Sequence, residues 1–218
     1  MSDLRLREFH RTWKRTGLPA DELRYLHEAA RLGRLAPEWV GALEYGIHEP
    51  FPTLFRVSTK AIETKAPFAP EPDILAWVVQ LCVKWGGEPG MQAAARVLKE
   101  LAEHSGKCDP EALLVARWAI EWTLCPEQRA TLRARGSTMA RELLRRDHGD
   151  RAIRAARSLA QAIEHADAFE QLALRVANCC FEASAILGPE AIRAAVCSAI
   201  REASHARVAS SEPRSAPG

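Results

Sequence analysis

Histidine and carboxylate side chains come close together in the sequence at two places where a metal or acid–base site would need them. His27-Glu28 matches the start of the H-E-x-x-H zinc signature, but Arg31 stands where the second histidine is required. The segment 147–150 also combines two aspartates with a histidine. It falls at a predicted helix junction, where aspartate is favoured as an N-terminal cap, so capping is the better interpretation. The sequence therefore predicts neither a metal site nor a cofactor.

Two further features contain the residue types of a nucleophile and of a phosphate-binding loop. Cys179-Cys180 lies within an apolar helical pattern, where burial raises the pKa of a thiol and lowers its reactivity. Residues 86–90, Gly-Gly-Glu-Pro-Gly, precede a predicted helix but lack the Lys-Ser/Thr of a P-loop, which favours a plain turn between helices. Because neither feature predicts a catalytic residue, we expect that the protein is not an enzyme.

The strongest departure from an even charge distribution is a run of nine arginines between residues 129 and 157, with only three acids in the same stretch. Arg129, Arg133, Arg141 and Arg145 are separated by multiples of four, so they form a slowly wrapping stripe on a helix. Such a stripe binds phosphates or an acidic protein surface, but no aromatic residue is interleaved to stack on bases. We predict these four arginines as partner-binding residues, against the alternative of a solvated face in an arginine-rich protein.

Trp39 is the aromatic residue that best fits a role at the surface. It lies on a short predicted helix that begins at Pro37, with Tyr45 nearby. An exposed tryptophan is typical of a binding hot spot, so Trp39 joins the candidate partner-binding residues. The alternative is that Trp39 packs in the core. The helical spacing of apolar residues around the other tryptophans predicts that those tryptophans are in the core.

The composition is that of a soluble globular protein, with 47% apolar and 27% charged residues and a net charge of +2, which does not by itself call for nucleic acid or an anionic membrane. Arginine outnumbers lysine 24 to 6, which is typical of a GC-rich bacterial genome. The six cysteines form no C-x-x-C, the first residues are charged, and no apolar run approaches membrane-spanning length. We therefore expect a bacterial cytoplasmic protein without a membrane partner.

A repeated X-Pro-acid pattern predicts where helices begin. Proline suits the first helical position because its missing N–H would be unpaired there, and the acid faces the positive end of the helix dipole. Each occurrence precedes an apolar run with helical spacing, and no segment shows the sustained alternation of a β-strand. The sequence thus predicts an all-α protein of about ten or eleven helices, arranged as a bundle or a short helical-hairpin array. The pattern begins at Ala36, Glu71, Asp109, Cys125 and Gly188.

Several predicted helices have boundaries that the structure can test. Gly46 is expected to end the helix that begins at Pro37, and Gly136-Ser137 to kink a helix over residues 126–146. The helices over residues 110–124 and 167–187 are almost entirely apolar, so we expect them to form the buried spine. The predicted core includes Trp77, Leu98, Trp118, Trp122, Leu172, Val176 and Phe181.

Prolines interrupt residues 47–72 and suggest a division of the chain. We predict an N-terminal helical subdomain over residues 1–65, which includes a helix from Pro52 to Lys65, followed by an extended connector over residues 66–71. The main helical bundle then covers residues 72–206. Residues 207–218 are small, polar and proline-containing, and are expected to form a disordered tail.

Two segments resemble parts of a loosely defined group of all-helical bacterial proteins. In residues 31–50 a basic-x-Gly-x-Leu run leads into a Pro-Glu helix start and an Ala-x-Tyr-x-Gly turn, and in residues 118–126 a Trp-bearing helix ends on Cys-Pro. Together the two segments cover a small part of the chain. The resemblance implies an α-helical fold and carries no catalytic residue.

The expected function is that of a non-catalytic protein-binding module, because helical arrays offer broad binding surfaces. An adaptor and a toxin-neutralising immunity protein both fit this class by analogy. The alternative is a regulatory protein that binds nucleic acid through the arginine stripe. An enzyme with an unfamiliar site would need a pocket that holds His27, His104 or His148 beside a carboxylate with a shifted pKa.

Overall fold

A computed structural model describes residues 2–54, 71–104, 109–147 and 149–211, and these form ten α-helices with one very short strand pair. The all-α prediction is confirmed. The elements are α1 Ser2–Thr16, α2 Pro19–Arg31, α3 Pro37–His48, β1 Thr53–Leu54, β2 Glu71–Pro72, α4 Ile74–Trp85, α5 Gly87–His104, α6 Pro110–Leu124, a 3₁₀ turn Pro126–Gln128, α7 Arg129–Arg146, α8 Arg151–Glu164, α9 Phe169–Leu187 and α10 Pro189–Ser210.

Proline is the first residue of four of these helices, α2 among them, and three of the four belong to the X-Pro-acid pattern. Pro37, Pro110 and Pro189 each begin a helix. In the two other X-Pro-acid sequences, the proline lies shortly before the α-helix rather than at its first residue. Pro72 pairs in β2, and Asp73 caps α4 by accepting a hydrogen bond of 2.9 Å from the backbone N–H of Ala76. Pro126 begins a 3₁₀ turn that leads into α7.

Two glycine-based boundaries and the extent of one glycine-rich turn were predicted wrongly. Close packing rather than a turn requires Gly46 and Gly136. α3 continues past Gly46 to His48, and a Cβ on Gly46 would lie 2.8 Å from the Cys197 sulfur. α7 runs through Gly136 without a break, where α8 lies against it. The expected turn over residues 86–90 contains a single junction residue, Gly86, after which α5 begins at once.

The core centres on α9 and α5, and α6 is more peripheral than predicted. α9 packs against α4, α5 and α8, which confirms its central place, and α5 packs against α6, α9 and α10. α6 was expected to be enclosed, but Leu114, Ile120 and Leu124 on it are 37%, 38% and 53% exposed. Its apolar surface exceeds what its neighbours cover, so α5 takes its place in the spine.

Most of the predicted core residues are buried. Trp77, Leu98, Leu172 and Val176 are at most 1% exposed, and Trp122 is 7% exposed. The prediction was wrong for two residues, because Trp118 and Phe181 are only half-buried. Trp118 lies on the outer side of α6, where it borders an open groove.

A single buried cluster includes residues on both sides of the predicted subdomain boundary, from Leu6 and Tyr25 to Val208. The start of the disordered tail was predicted too early in the chain, at residue 207, because α10 extends to Ser210 and Val208 is fully buried. The start of the helix predicted from Pro52 is also wrong, since Thr53–Leu54 pairs as β1 with Glu71–Pro72. The rest of that helix, the connector up to residue 70 and residues 212–218 lie outside the described residues.

Candidate functional site

The adjacent cysteines are structural. Cys179 and Cys180 are fully buried on α9, and burial raises the pKa of the Cys179 thiol to about 12 and that of Cys180 well above its ordinary value. Such thiols stay protonated at neutral pH and are poor nucleophiles. The prediction that this pair serves packing is supported by these positions.

The acidic junction after α7 caps the next helix, as expected. The Asp150 carboxylate accepts hydrogen bonds from the backbone N–H groups of Ala152 at 2.8 Å and Ile153 at 3.4 Å. Asp147 instead binds Arg157 of α8 at 2.7 Å. Both aspartates therefore hold the α7–α8 junction together.

Three histidines were named as candidates for an unfamiliar enzyme site. Of these, His27 is the one that lines a cleft in the described part of the chain. Its Nε2 lies 2.7 Å from a carboxylate oxygen of Glu44 on α3, and both side chains are more than 40% exposed. The cleft, of about 500 Å³, also contains Glu28, which the Arg31 guanidinium binds through both carboxylate oxygens. That hydrogen bonding lowers the pKa of Glu28, so the carboxylate is a weaker base than an ordinary glutamate.

Trp39 and Arg129 belong to one cluster, in which Trp39 is buried and the charged side chains are partly exposed. Trp39 is 3% exposed, so the prediction that it forms a surface hot spot was wrong and the core-packing alternative applies. Glu88, in the first turn of α5, binds Arg129 at 2.6 Å and Arg207 at 3.2 Å. The Arg207 guanidinium lies 4.3 Å from the centre of the Trp39 ring, and that of Arg129 lies 4.3 Å from the centre of the Trp122 ring. The cluster ties α3, α5, α6, α7 and α10 together.

The arginine stretch is largely neutralised within the protein. Arg141 is exposed, with its Nε donating to the Ser137 carbonyl, and Arg135 lies over the Trp118 ring at 6.0 Å. No carboxylate of the described residues lies within ion-pair distance of these two. The other seven arginines do have such partners: Arg129 with Glu88, Arg133 with Asp167, Arg145 with Glu142, Arg146 with Asp109 and Glu111, Arg151 and Arg154 with Glu182, and Arg157 with Asp147.

An open apolar concavity forms a trough between three helices, and we call it the α5–α6–α10 trough. α6 and α10 both pack on α5 and stand on either side of it, so that α5 forms the floor. The trough encloses about 680 Å³. It is lined by Gln92, Ala95, Arg96 and Lys99 of α5, by Leu113, Ala116, Arg117, Ile120, Glu121 and Leu124 of α6, and by Ala199, Glu202, Ala203 and Ala206 of α10.

The shape of the trough follows from the spacing of these residues. On each helix they recur three or four positions apart, so each helix presents one continuous face. The face on α6 is about 16 Å long, since each helical residue rises 1.5 Å. Ala199, Ala203 and Ala206 keep the α10 wall low, whereas Leu113, Ile120 and Leu124 give the α6 wall larger apolar side chains.

One end of the trough is closed by polar contacts. The amide nitrogen of Gln92 hydrogen-bonds the Thr123 hydroxyl, and Arg207 of α10 donates to the Thr123 carbonyl of α6 at 3.3 Å. These bonds join α10 to the C-terminal end of α6 across the floor. The trough therefore has a fixed end, which sets the distance between its two walls.

The charged residues that line the trough are mostly paired with one another. Arg96 binds Glu100 at 2.8 Å and Glu202 at 3.4 Å, and Arg117 binds Glu121 at 2.8 Å. Lys99 lies 3.9 Å from Glu103, the loosest of these pairs. The two most exposed cations at the trough are Arg117, 75% exposed, and Lys99, 53% exposed.

None of the trough residues was predicted as a site, although the sequence contains two signals for them. The nearly continuous apolar composition of α6 was interpreted as burial, but an apolar face that meets a partner has the same composition. Ala199, Ala203 and Ala206 also form a stripe of small residues at helical spacing on α10. Neither signal shows by itself which faces remain uncovered, because that depends on how neighbouring helices pack.

Within the described residues, no group of three or more His, Cys, Asp or Glu side chains is placed to hold a metal ion. The described helices also include none with the length and apolar character needed to cross a membrane. The sequence matches no family model, and no curated protein or solved structure matches it. The fold and the trough thus define the protein as an all-α multi-helix bundle with an open apolar groove between three helices. Membership of the group that residues 31–50 and 118–126 resemble stays a prediction.

Proposed function

We propose that the protein is a non-catalytic protein-binding module whose α5–α6–α10 trough receives an amphipathic α-helix of another protein. The single observation that carries this proposal is the uncovered apolar wall of α6, where Ile120 and Leu124 remain 38% and 53% exposed in a trough whose α10 wall consists largely of alanines. Burying a fully exposed large apolar side chain contributes about 1.5–3 kcal/mol, and covering the exposed part of Ile120 and Leu124 contributes a corresponding fraction, so this wall favours an apolar occupant.

The geometry of the trough favours a helix as that occupant. Its three sides are helical faces, and ridges of side chains on a fourth helix fit the grooves between such faces at ordinary interhelical distances. The alanines of the α10 wall leave room for bulky side chains from the occupant. The C-terminal residues 212–218 follow directly after α10, but their sequence Glu-Pro-Arg-Ser-Ala-Pro-Gly contains no large apolar side chain to fill it.

The test uses a change that fills the trough and leaves the core intact. Ala206 is exposed on the α10 wall, so Ala206→Trp places a large ring in the trough, while Ala194→Trp makes the same change at an exposed position of α10 that does not line it. Proteins captured by the wild-type chain from a bacterial lysate are cross-linked and their contact peptides sequenced. We expect cross-links from the trough to an amphipathic helical segment, and a synthetic peptide of that segment to bind wild type and Ala194→Trp but not Ala206→Trp.

Two results would overturn the proposal. One is that the captured protein binds Ala206→Trp as tightly as wild type, or that no protein is captured. The other is that light scattering shows a wild-type dimer that Ala206→Trp separates into monomers, because the occupant would then be a second copy of this chain. An adaptor and a toxin-neutralising immunity protein are the two roles we propose within this class, and the sequenced partner distinguishes them.

The alternative from the sequence, nucleic-acid binding through the arginine stripe, is supported less well by the geometry. Of the four candidate arginines, Arg129, Arg133 and Arg145 are engaged by carboxylates. Arg141 donates to the Ser137 carbonyl and has no carboxylate of the described residues within ion-pair distance. Phosphate binding would have to displace these pairs. No observation favours this function over protein binding.

A further inference from the structure

We infer that the helix received by the trough carries one uncharged hydrogen-bond donor within its apolar face, a hydroxyl or a side-chain amide, which meets the side-chain oxygen of Gln92. This inference rests on the proposed function and names a specificity-determining residue of the same site. Gln92 is the one uncharged polar side chain among the described residues that line the trough. Its oxygen is an acceptor that the protein itself leaves unpaired.

The charged residues at the trough do not by themselves select an occupant. Each cation of the lining has a carboxylate within ion-pair distance: Arg96 has Glu100 and Glu202, Lys99 has Glu103, and Arg117 has Glu121. These groups therefore compensate one another along the rim. The polar group that remains to distinguish one apolar helix from another is the amide of Gln92.

The hydrogen bonds of Thr123 fix which end of the Gln92 amide is used within the protein. The Thr123 hydroxyl has a single proton, which it donates to the Ile120 carbonyl at 2.8 Å. The hydroxyl can then only accept from Gln92, so the amide nitrogen of Gln92 must lie against it. A flipped amide would bring two acceptors together. Gln92 Oε1 is therefore the end of the amide that stays free.

Gln92 Oε1 has no hydrogen-bond partner among the described residues, yet it is not sealed in the core. Gln92 is 8% exposed and lines the trough, so the accessible part of its side chain faces the space that the occupant would fill. Water satisfies this oxygen while the trough is open, but a docked helix displaces that water. An apolar side chain would then leave the acceptor unpaired, which is costly, whereas a donor would complete its hydrogen bonding.

A neutral donor fits this end of the trough better than a cation. Arg96, one turn along α5 from Gln92, binds Glu202, and Arg207 binds Glu88 while it donates to the Thr123 carbonyl. An incoming lysine or arginine would have to share these carboxylates or be buried without a counter-charge, which costs more than placing a neutral group. Because Gln92 lies at the closed end, the donor falls near one end of the bound segment and fixes its register and direction, as a single buried polar residue does in coiled coils.

The experiment uses three fluorescein-labelled model helices of about 18 residues, long enough to span the trough. All carry leucines on one face, and in two of them asparagine, which is close to leucine in shape, replaces either the first or the last leucine. The two placements cover both directions in which a helix can lie. Binding to the full-length protein is measured by fluorescence anisotropy. We expect one asparagine peptide to bind wild type about tenfold tighter than the all-leucine peptide, because only asparagine pairs with Gln92 Oε1.

Three variants separate the hydrogen bond from the shape of the trough. Gln92→Met keeps the length of the side chain but removes the acceptor, and it is expected to bind the all-leucine peptide most tightly. Gln92→Glu keeps an acceptor oxygen and is expected to retain the preference for the same asparagine peptide. The matched control is Gln171→Met, the same change at an exposed position of α9 that does not line the trough, which is expected to behave as wild type.

The outcomes distinguish the inferred donor from the proposed function. A wild type that binds the all-leucine peptide most tightly, or a Gln92→Met protein that keeps the preference for asparagine, would overturn the donor alone. Failure of all three peptides to bind wild type, or undiminished binding of all three to Ala206→Trp, would overturn the proposed function itself.

Discussion

At the scale of single residues, the most consequential group is a buried carboxylate that joins the two ends of the chain. Glu22 of α2 accepts a hydrogen bond of 2.8 Å from Arg201 and lies 2.7 Å from Nε2 of His205, both on α10. The His205 ring stacks on Trp13 of α1 at 4.4 Å. Burial opposes ionisation of Glu22, but the hydrogen bond with His205 and the charge and hydrogen bond of Arg201 outweigh it, so the pKa of Glu22 lies below its ordinary value of 4.5.

Glu22→Gln is expected to lower the free energy of unfolding at pH 7 by about 1–3 kcal/mol, the value of hydrogen bonds to a charged group. Because the pKa of Glu22 is lowered in the folded state, its contribution is complete above pH 4.5 and is lost as the pH falls through the folded-state pKa. Urea denaturation at pH 7 and at acidic pH measures both effects. Glu8→Gln, at an exposed glutamate of α1, is the control and is expected to change stability little at either pH. An undiminished difference between wild type and Glu22→Gln at low pH would contradict this explanation.

At the scale of elements, close contacts between helix backbones decided several features that sequence patterns left ambiguous. Glycine was interpreted as a helix end at residue 46 and as a kink at residue 136, because glycine commonly ends or interrupts a helix. In the folded protein both lie within helices, at points where a neighbouring element leaves no room for a Cβ. A glycine that ends a helix and a glycine that admits a neighbour look alike in sequence, since only the packing distinguishes them.

Gly136→Ala tests this role of glycine in α7. In an open helix the change would stabilise the protein by about 0.5–1 kcal/mol, because alanine favours the helix. Here a Cβ would lie 2.8 Å from the Ala160 carbonyl oxygen and 3.2 Å from the Glu164 nitrogen, both backbone atoms of α8 that move only with the helix. We therefore expect a loss of about 1–3 kcal/mol, measured by thermal denaturation. Ser137→Ala, the neighbouring position, serves as the control, and a stabilised Gly136→Ala protein would show that α7 and α8 are farther apart than described.

At the scale of the whole molecule, contacts across the predicted subdomain boundary are numerous and specific. The Tyr45 hydroxyl of α3 donates to the Trp77 carbonyl of α4 at 3.1 Å, and burial raises the pKa of Tyr45 to about 12. Arg193 of α10 donates to the Glu49 carbonyl at 2.8 Å. Together with the Glu22 pairs, these bonds attach α1, α2 and α3 to the helices of the main bundle.

We expect the chain to unfold in one cooperative step. The buried cluster that runs from Leu6 to Val208 leaves neither predicted subdomain with a separate core among the described residues. Calorimetric and van 't Hoff enthalpies should then agree, and denaturation followed by far-UV circular dichroism and by tryptophan fluorescence should have the same midpoint. Two separated transitions, with fluorescence and circular dichroism reporting them differently, would instead support the division at residues 65–72.

The sequence by itself determined the helical class, most helix starts and the central place of α9, because capping by proline and acids and the 3.6-residue apolar period act within a few residues of each other. Tertiary structure alone decided that Trp39 is buried, that most of the arginine stripe is paired, and that one face of α6 borders a trough while the other packs in the core. Those outcomes depend on distant partners such as Glu88 with Arg207, 119 residues apart. An apolar face has the same residue pattern whether a neighbour in the same chain covers it or not, so only the packed molecule shows where apolar surface is left over.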